Sequence, residues 1–191
     1  MCRAVDLATW ELEAIISTVE DEWVVRGGAQ PLLCKSDGFL AQMCTTFLFQ
    51  CIEAPLRSTQ GRGMMCSDLT VSNGCECGDQ HCQADNQWIY TFIPTVHKNL
   101  GRDTHDHRAR SVPGFNLGCK MSRLMAFQID VVRFSICPDT TVDNVLVSTT
   151  GKCMDDGAMS SLWKKTCHML TGDVITMRDF RSDMATVLVG V

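Results

Sequence analysis

Phe127-Gln128-Ile129-Asp130-Val131-Val132-Arg133-Phe134-Ser135-Ile136 is the stretch that decides the fold class. Phe127, Ile129 and Val131 alternate with polar residues. Val132, Phe134 and Ile136 resume the alternation one residue out of phase. Side chains two apart share a face of a strand, so the pattern predicts a strand with a bulge at Val131-Val132. Downstream, Pro138-Asp139 predicts a turn, Val142 to Val147 a second strand, and Ser148-Thr149-Thr150-Gly151 another turn. Met159, Leu162, Trp163 and Leu170 fall on one face of a helix over 156–170, which Gly172 ends. Val174 to Met177 and Thr186 to Val189 read as two more short strands.

Upstream, the reading is helical. Leu12, Ile15, Ile16, Val19 and Trp23 recur at three- and four-residue spacing, with Asp6 or Thr9 as N-cap and Gly27-Gly28 as the stop. Ser36-Asp37-Gly38 is a turn or helix start. Phe39 to Ile52 then reads as a buried helix stopped by Pro55, with a strand pair as the competing reading. Gln42, Thr45, Thr46 and Gln50 interrupt this run, which is too short and too polar to span a bilayer. Trp10, Trp23 and Trp163 are expected in the core. The whole is expected to be a single α+β or α/β domain over 1–191, with N-terminal helices, a loop insertion, and a C-terminal mixed strand-helix-strand region.

The insertion covers residues 55–118. Gly, Ser, Asn, Asp and Cys dominate 55–87, a strand follows from Trp88 to Val96, and 98–118 is again loop-like. A stretch this long without its own core needs a staple, a partner or disorder. Within it stands Cys75-Glu76-Cys77-Gly78-Asp79-Gln80-His81-Cys82, four metal-ligand side chains in eight residues. Thiolate and neutral imidazole are the ligands zinc prefers. His81 and Cys82 are adjacent and cannot easily share one ion. Cys75, Cys77 and Cys82 are therefore the candidate metal ligands, with a fourth from Cys66 or from His105 and His107, which share a face if that segment is extended. The Cys-x-Cys-Gly-x3-Cys spacing resembles the small zinc motif that follows SET methyltransferase domains. The resemblance covers eight residues, and the Asn-His-Ser-Cys signature that should precede the motif is absent.

His105-Asp106-His107, with Asp103 and Arg108, is a second candidate site for metal or acid–base chemistry. Ser148-Thr149-Thr150-Gly151-Lys152 lacks the earlier glycine and the following hydroxyl of a phosphate loop, so a plain turn is expected there. Cys167-His168 diverge on a helix, and Cys167 is expected to pack as a small hydrophobe.

The 191 residues carry a net charge of −5, with 12 Cys and 11 Met beside one Tyr. Scattered Lys and Arg argue against nucleic-acid binding. No apolar stretch precedes the first acidic residues, so no signal peptide is expected; the cysteines are then expected to be free thiols in the cytoplasm. Two functions are compatible with these observations. One is an intracellular protein whose zinc-stapled loop serves as an interaction surface for a protein partner. The other is a small α/β enzyme with a His/Asp active site, with or without metal, around residues 103–107.

Overall fold

The computed structural model describes residues 2–19, 33–53, 63–73, 88–92, 115–117, 119–139, 141–148, 150, 152, 154–180 and 182. In chain order these form α1 (Cys2–Ser17), α2 (Lys35–Leu48), a π turn (Phe49–Glu53), a 3-10 turn (Cys66–Asp68), β1 (Leu69–Asn73), β2 (Trp88–Phe92), β3 (Phe115–Asn116), α3 (Cys119–Phe127), a second π turn (Gln128–Val132), α4 (Arg133–Ile136) and α5 (Asp156–Thr171).

The described residues are predominantly helical, which overturns the α+β or α/β expectation. The decisive stretch is α3, its π turn and α4, not a strand. Met121, Leu124, Met125, Gln128, Val131, Val132 and Ile136 are all buried, at spacings of three and four. The Val131-Val132 phase slip is therefore the adjacent pair that a helical stripe places in the core, and alternation over 127–131 was a short-window coincidence. Val142–Val147 forms no strand: it bends at Val145 and Leu146, makes an isolated antiparallel bridge from Asn144 to Met65, and is otherwise held partly by side chains (below). At 174–177, residues 174–176 are irregular and a helical turn begins at Met177. The expected strand at 186–189 lies outside the described residues.

A three-stranded antiparallel ribbon, in the order β1-β2-β3, is the sheet found among the described residues. It packs beside α3 and contributes Leu69 to the core. β2 matches the start of the strand expected from Trp88; residues 93–96 lie outside the described set.

The helical core joins α1, α2 and α5. Ala4, Ala8, Leu12, Ile15 and Ile16 are buried along α1, which packs on α2. The helix starts at Cys2, ahead of Asp6 and Thr9, so neither is its N-cap. Trp10 is 65% exposed on the opposite face, contrary to its expected core role, whereas Trp163 is 1% exposed. α2 starts at Lys35, one residue ahead of the expected turn or helix start at Ser36-Asp37-Gly38, and buried Gly38 lets it approach α4: an added Cβ would sit 3.3 Å from Ile136 Cγ1. α5 is framed as expected. The Asp155 carboxylate accepts from the Ala158 N–H at 2.7 Å, and Gly172 ends the helix with φ +82°. Its inner face centres on Trp163, stacked on Phe47 at 5.9 Å and edge-on to Phe180 at 5.1 Å. No helix among the described residues is long and apolar enough to cross a membrane.

Candidate functional site

Cys75, Cys77, Cys82, His105 and His107 lie outside the described residues. The strands from which their segments depart are described. Asn73 pairs with Trp88, so both ends of the Cys75–Cys82 segment are held on neighbouring strands. Phe92 pairs with Phe115, which anchors in the same way the two ends of the segment carrying His105 and His107. In antiparallel order these are opposite ends of β2, separated by about 13 Å for a five-residue strand.

Cys66 sits just before Leu69, which pairs with Phe92. It therefore stands at the end of the ribbon remote from the exit of the Cys75–Cys82 segment. The structure does not bring Cys66 to the root of that segment. Its thiol is half-buried and its pKa is raised by burial, with Arg133 opposing and Asp143 adding to the rise.

The core thiols are chemically quiet. Burial pushes Cys44 up to about 12, with Glu11 adding to the shift. Burial also pushes Cys51 up to about 12, with Cys167 nearby, and Cys167 up to about 11. Such thiols stay protonated at neutral pH and neither ligate nor attack. Cys34 is exposed at the start of α2, 3.0 Å from Ser36 Oγ. Among the described residues, no group of three or more His, Cys, Asp or Glu side chains is placed to hold a metal ion. At the expected plain turn, the Ser148 N–H donates to the Lys152 carbonyl at 2.8 Å, closing the chain on itself.

One constellation went unread in the sequence. Gln42 is fully buried, and its Nε2 donates to the Val147 carbonyl at 2.8 Å while its Oε1 accepts from the Val147 N–H at 3.0 Å. Gln128 Nε2 donates to the Val145 carbonyl at 3.0 Å and to Gln42 Oε1 at 3.2 Å. Two side-chain amides thus satisfy backbone groups of Val145 and Val147 that a neighbouring strand would otherwise pair. On its other side, the Val145 N–H donates to the Met64 carbonyl at 2.9 Å. The signal was present: Gln42, Thr45, Thr46 and Gln50 recur at helical spacing, and all four are buried. They form a polar stripe within an apolar helix rather than scattered interruptions. Beside this network lies a cleft lined by Thr45, Gln50, Met64, Met125 and Met159 among others.

No family model, curated protein or solved structure matches this chain.

Proposed function

We propose that this chain is a non-enzymatic interaction domain whose helical core carries residues 55–118 as a zinc-stapled surface for a protein partner. The observation that carries the proposal is the Asn73–Trp88 pairing, which sets both ends of the segment bearing Cys75, Cys77 and Cys82 on adjacent strands. A hairpin root of this kind reduces the loss of chain entropy when three ligands from one short segment gather on an ion. His105 or His107 completes the tetrahedral set. Its segment, 93–114, is long enough at about 3.3 Å per residue to return along the ribbon. Zinc takes thiolate and imidazole, and a closed four-ligand site is structural rather than catalytic.

Two further observations support the proposal. The described core holds no metal-binding group and keeps its thiols protonated, so ligand chemistry concentrates in the insertion. Cys34, Cys44, Cys51, Cys66 and Cys167 are free thiols, as in a reducing compartment such as the cytoplasm. A net charge of −5 favours a protein partner over nucleic acid.

The test is metal content by mass spectrometry on untagged protein purified under reducing conditions. One zinc per chain is expected, lost in Cys77→Ser and weakened toward pH 5 as the thiolates protonate. Stripping the metal should open 55–118 to protease. The enzyme alternative built on His105 and His107 instead expects a stripped protein whose insertion stays protected. Absence of metal, with no protection on adding zinc, ends the proposal.

A further inference from the structure

We propose that the outer face of α1 pairs with the same face of a second copy of this chain. The two helices run antiparallel about a two-fold axis at Leu7, with Arg3 of each copy on Glu11 of the other. Three observations converge there.

The first is exposed apolar surface on a helix whose inner side is already packed. Ala4, Ala8, Leu12, Ile15 and Ile16 face the core. On the opposite side Trp10 is 65% exposed and Leu7 37%. Three residues apart on a helix, the two adjoin, and exposed Ala14 continues the strip by one turn. Large apolar groups gathered on one surface mark a contact site, whereas single ones scattered over it do not.

The second is that the neighbours of α1 leave this strip uncovered. α1 packs on α2 and α5. α3 reaches its flank through the Arg123–Glu13 ion pair at 2.7 Å and through Lys120 Nζ, 3.5 Å from the Thr9 hydroxyl. The helical period sets Thr9 and Glu13 between the core face and the Trp10 strip, with Asp6 toward that same flank. Among the described residues, neither Arg3 nor Glu11 has an ion-pair partner.

The third is the order of charge. Arg3, Leu7 and Glu11 are four residues apart and form one ridge of the helix, cationic at one end, apolar in the middle and anionic at the other. Laid antiparallel on its own copy, the ridge sets Leu7 on Leu7 and each Arg3 on a Glu11, the self-complementary match that a two-fold interface requires. Parallel pairing would set like on like. Each Arg3 also comes within reach of the partner copy's Trp10 ring, beside Glu11, for a cation–π contact. No acidic residue stands in the first turn of α1, so Arg3 lies unopposed at the positive end of its own helix dipole, and a carboxylate from a second copy offsets that.

The test is sedimentation velocity on the full-length protein under reducing conditions, from about 10 µM to about 1 mM. The strip is smaller than the roughly 800 Å² per partner of a standard interface, so half-dimerisation is expected on the order of 100 µM. Trp10→Ala removes an exposed ring, should leave the urea midpoint unchanged, and should weaken the dimer at least about tenfold. Arg3→Glu and Glu11→Arg each set like charges together and should weaken it to a similar degree. The double variant Arg3→Glu/Glu11→Arg rebuilds the ridge with its charges exchanged and should recover the parent's dimerisation. A parent that stays monomeric to about 1 mM overturns the proposal and leaves the strip to a different protein. A dimer indifferent to Trp10→Ala, or a double variant no tighter than the single ones, overturns it as well.

Discussion

The helical core and the 55–118 insertion both carry cysteine, but in opposite settings. In the core, Cys44, Cys137 and Cys167 are buried among Leu, Phe and Val, and burial drives the Cys44 and Cys167 thiols toward the protonated form. In the insertion, Cys75, Cys77 and Cys82 stand among Gly, Asp, Glu and Gln with no apolar residue beside them but Cys itself. A thiol's chemistry is set by solvation rather than by its count, so the same residue is packing material in one region and a ligand candidate in the other. The contrast requires the core to stand on apolar packing and buried hydrogen bonds alone, with nothing supplied by metal.

The hardest blow to that claim falls on Trp163. Trp163→Ala removes the ring between Phe47 and Phe180 and should cost about 3–5 kcal/mol in a urea titration, close to the whole stability of a small domain. A loss below about 1 kcal/mol would show that the aromatic cluster does not hold the core. Gln42→Leu comes next. Leucine fills similar volume but leaves the Val147 N–H and carbonyl unpaired, for an expected loss of about 2–4 kcal/mol. Loss of amide-exchange protection should centre on Val145 and Val147.

These two variants also mark what was legible in the sequence. Trp163 was expected in the core because Met159, Leu162, Trp163 and Leu170 share a helical face, and the caps at Asp155 and Gly172 lie at the expected ends. The α3–α4 stretch was misread because Ile129, Val131 and Val132 favour strands locally, while burial over the longer window from Met121 to Ile136 follows the helical period. Tertiary packing decided between the two. Gln42 was seen only as an interruption: a hydrogen bond to a residue 105 positions away leaves no periodic trace. Trp10 sits beside apolar neighbours in sequence but on the wrong face of α1. The candidate ligands were legible as residue types and spacing alone; the pairing of β1 with β2, which relates their ends, depends on contacts between strands.

Alkaline pH should act through the core thiols. A thiol pushed up to about 12 in the folded state, as Cys44 is, has an ordinary value near 9 when unfolded. Its contribution to stability is full below pH 9 and is lost as pH rises toward 12. Each such thiol then costs about 1.4 kcal/mol per pH unit. Denaturation midpoints measured from pH 8 to 10.5 should fall more steeply in the parent than in Cys44→Ala; parallel slopes would contradict the buried, protonated thiol. Asp155→Ala tests a smaller effect. Losing the cap on the Ala158 N–H should cost about 1 kcal/mol, read as a midpoint shift without change of slope.

The smallest expected effect on the core is the most telling. Cys77→Ser should abolish zinc binding and open 55–118 to protease, yet leave the near-ultraviolet signal of Trp163 and the core's urea midpoint within about 0.5 kcal/mol of the parent, the range of a remote surface change. The reasoning is geometric. The segment after Asn73 leaves from one end of the ribbon, and the ribbon meets the helices through Leu69 and α3 at its other end and flank. The backbone of Val145 and Val147 is held by Gln42 and Gln128, which stand on α2 and the second π turn rather than on the ribbon. A large loss of core stability on removing the metal would mean that the ribbon holds Met64 and the Val145–Val147 segment in place, and that the two regions fold as one unit. Unchanged core stability with lost zinc leaves the insertion as a separately stapled surface on an apolar scaffold.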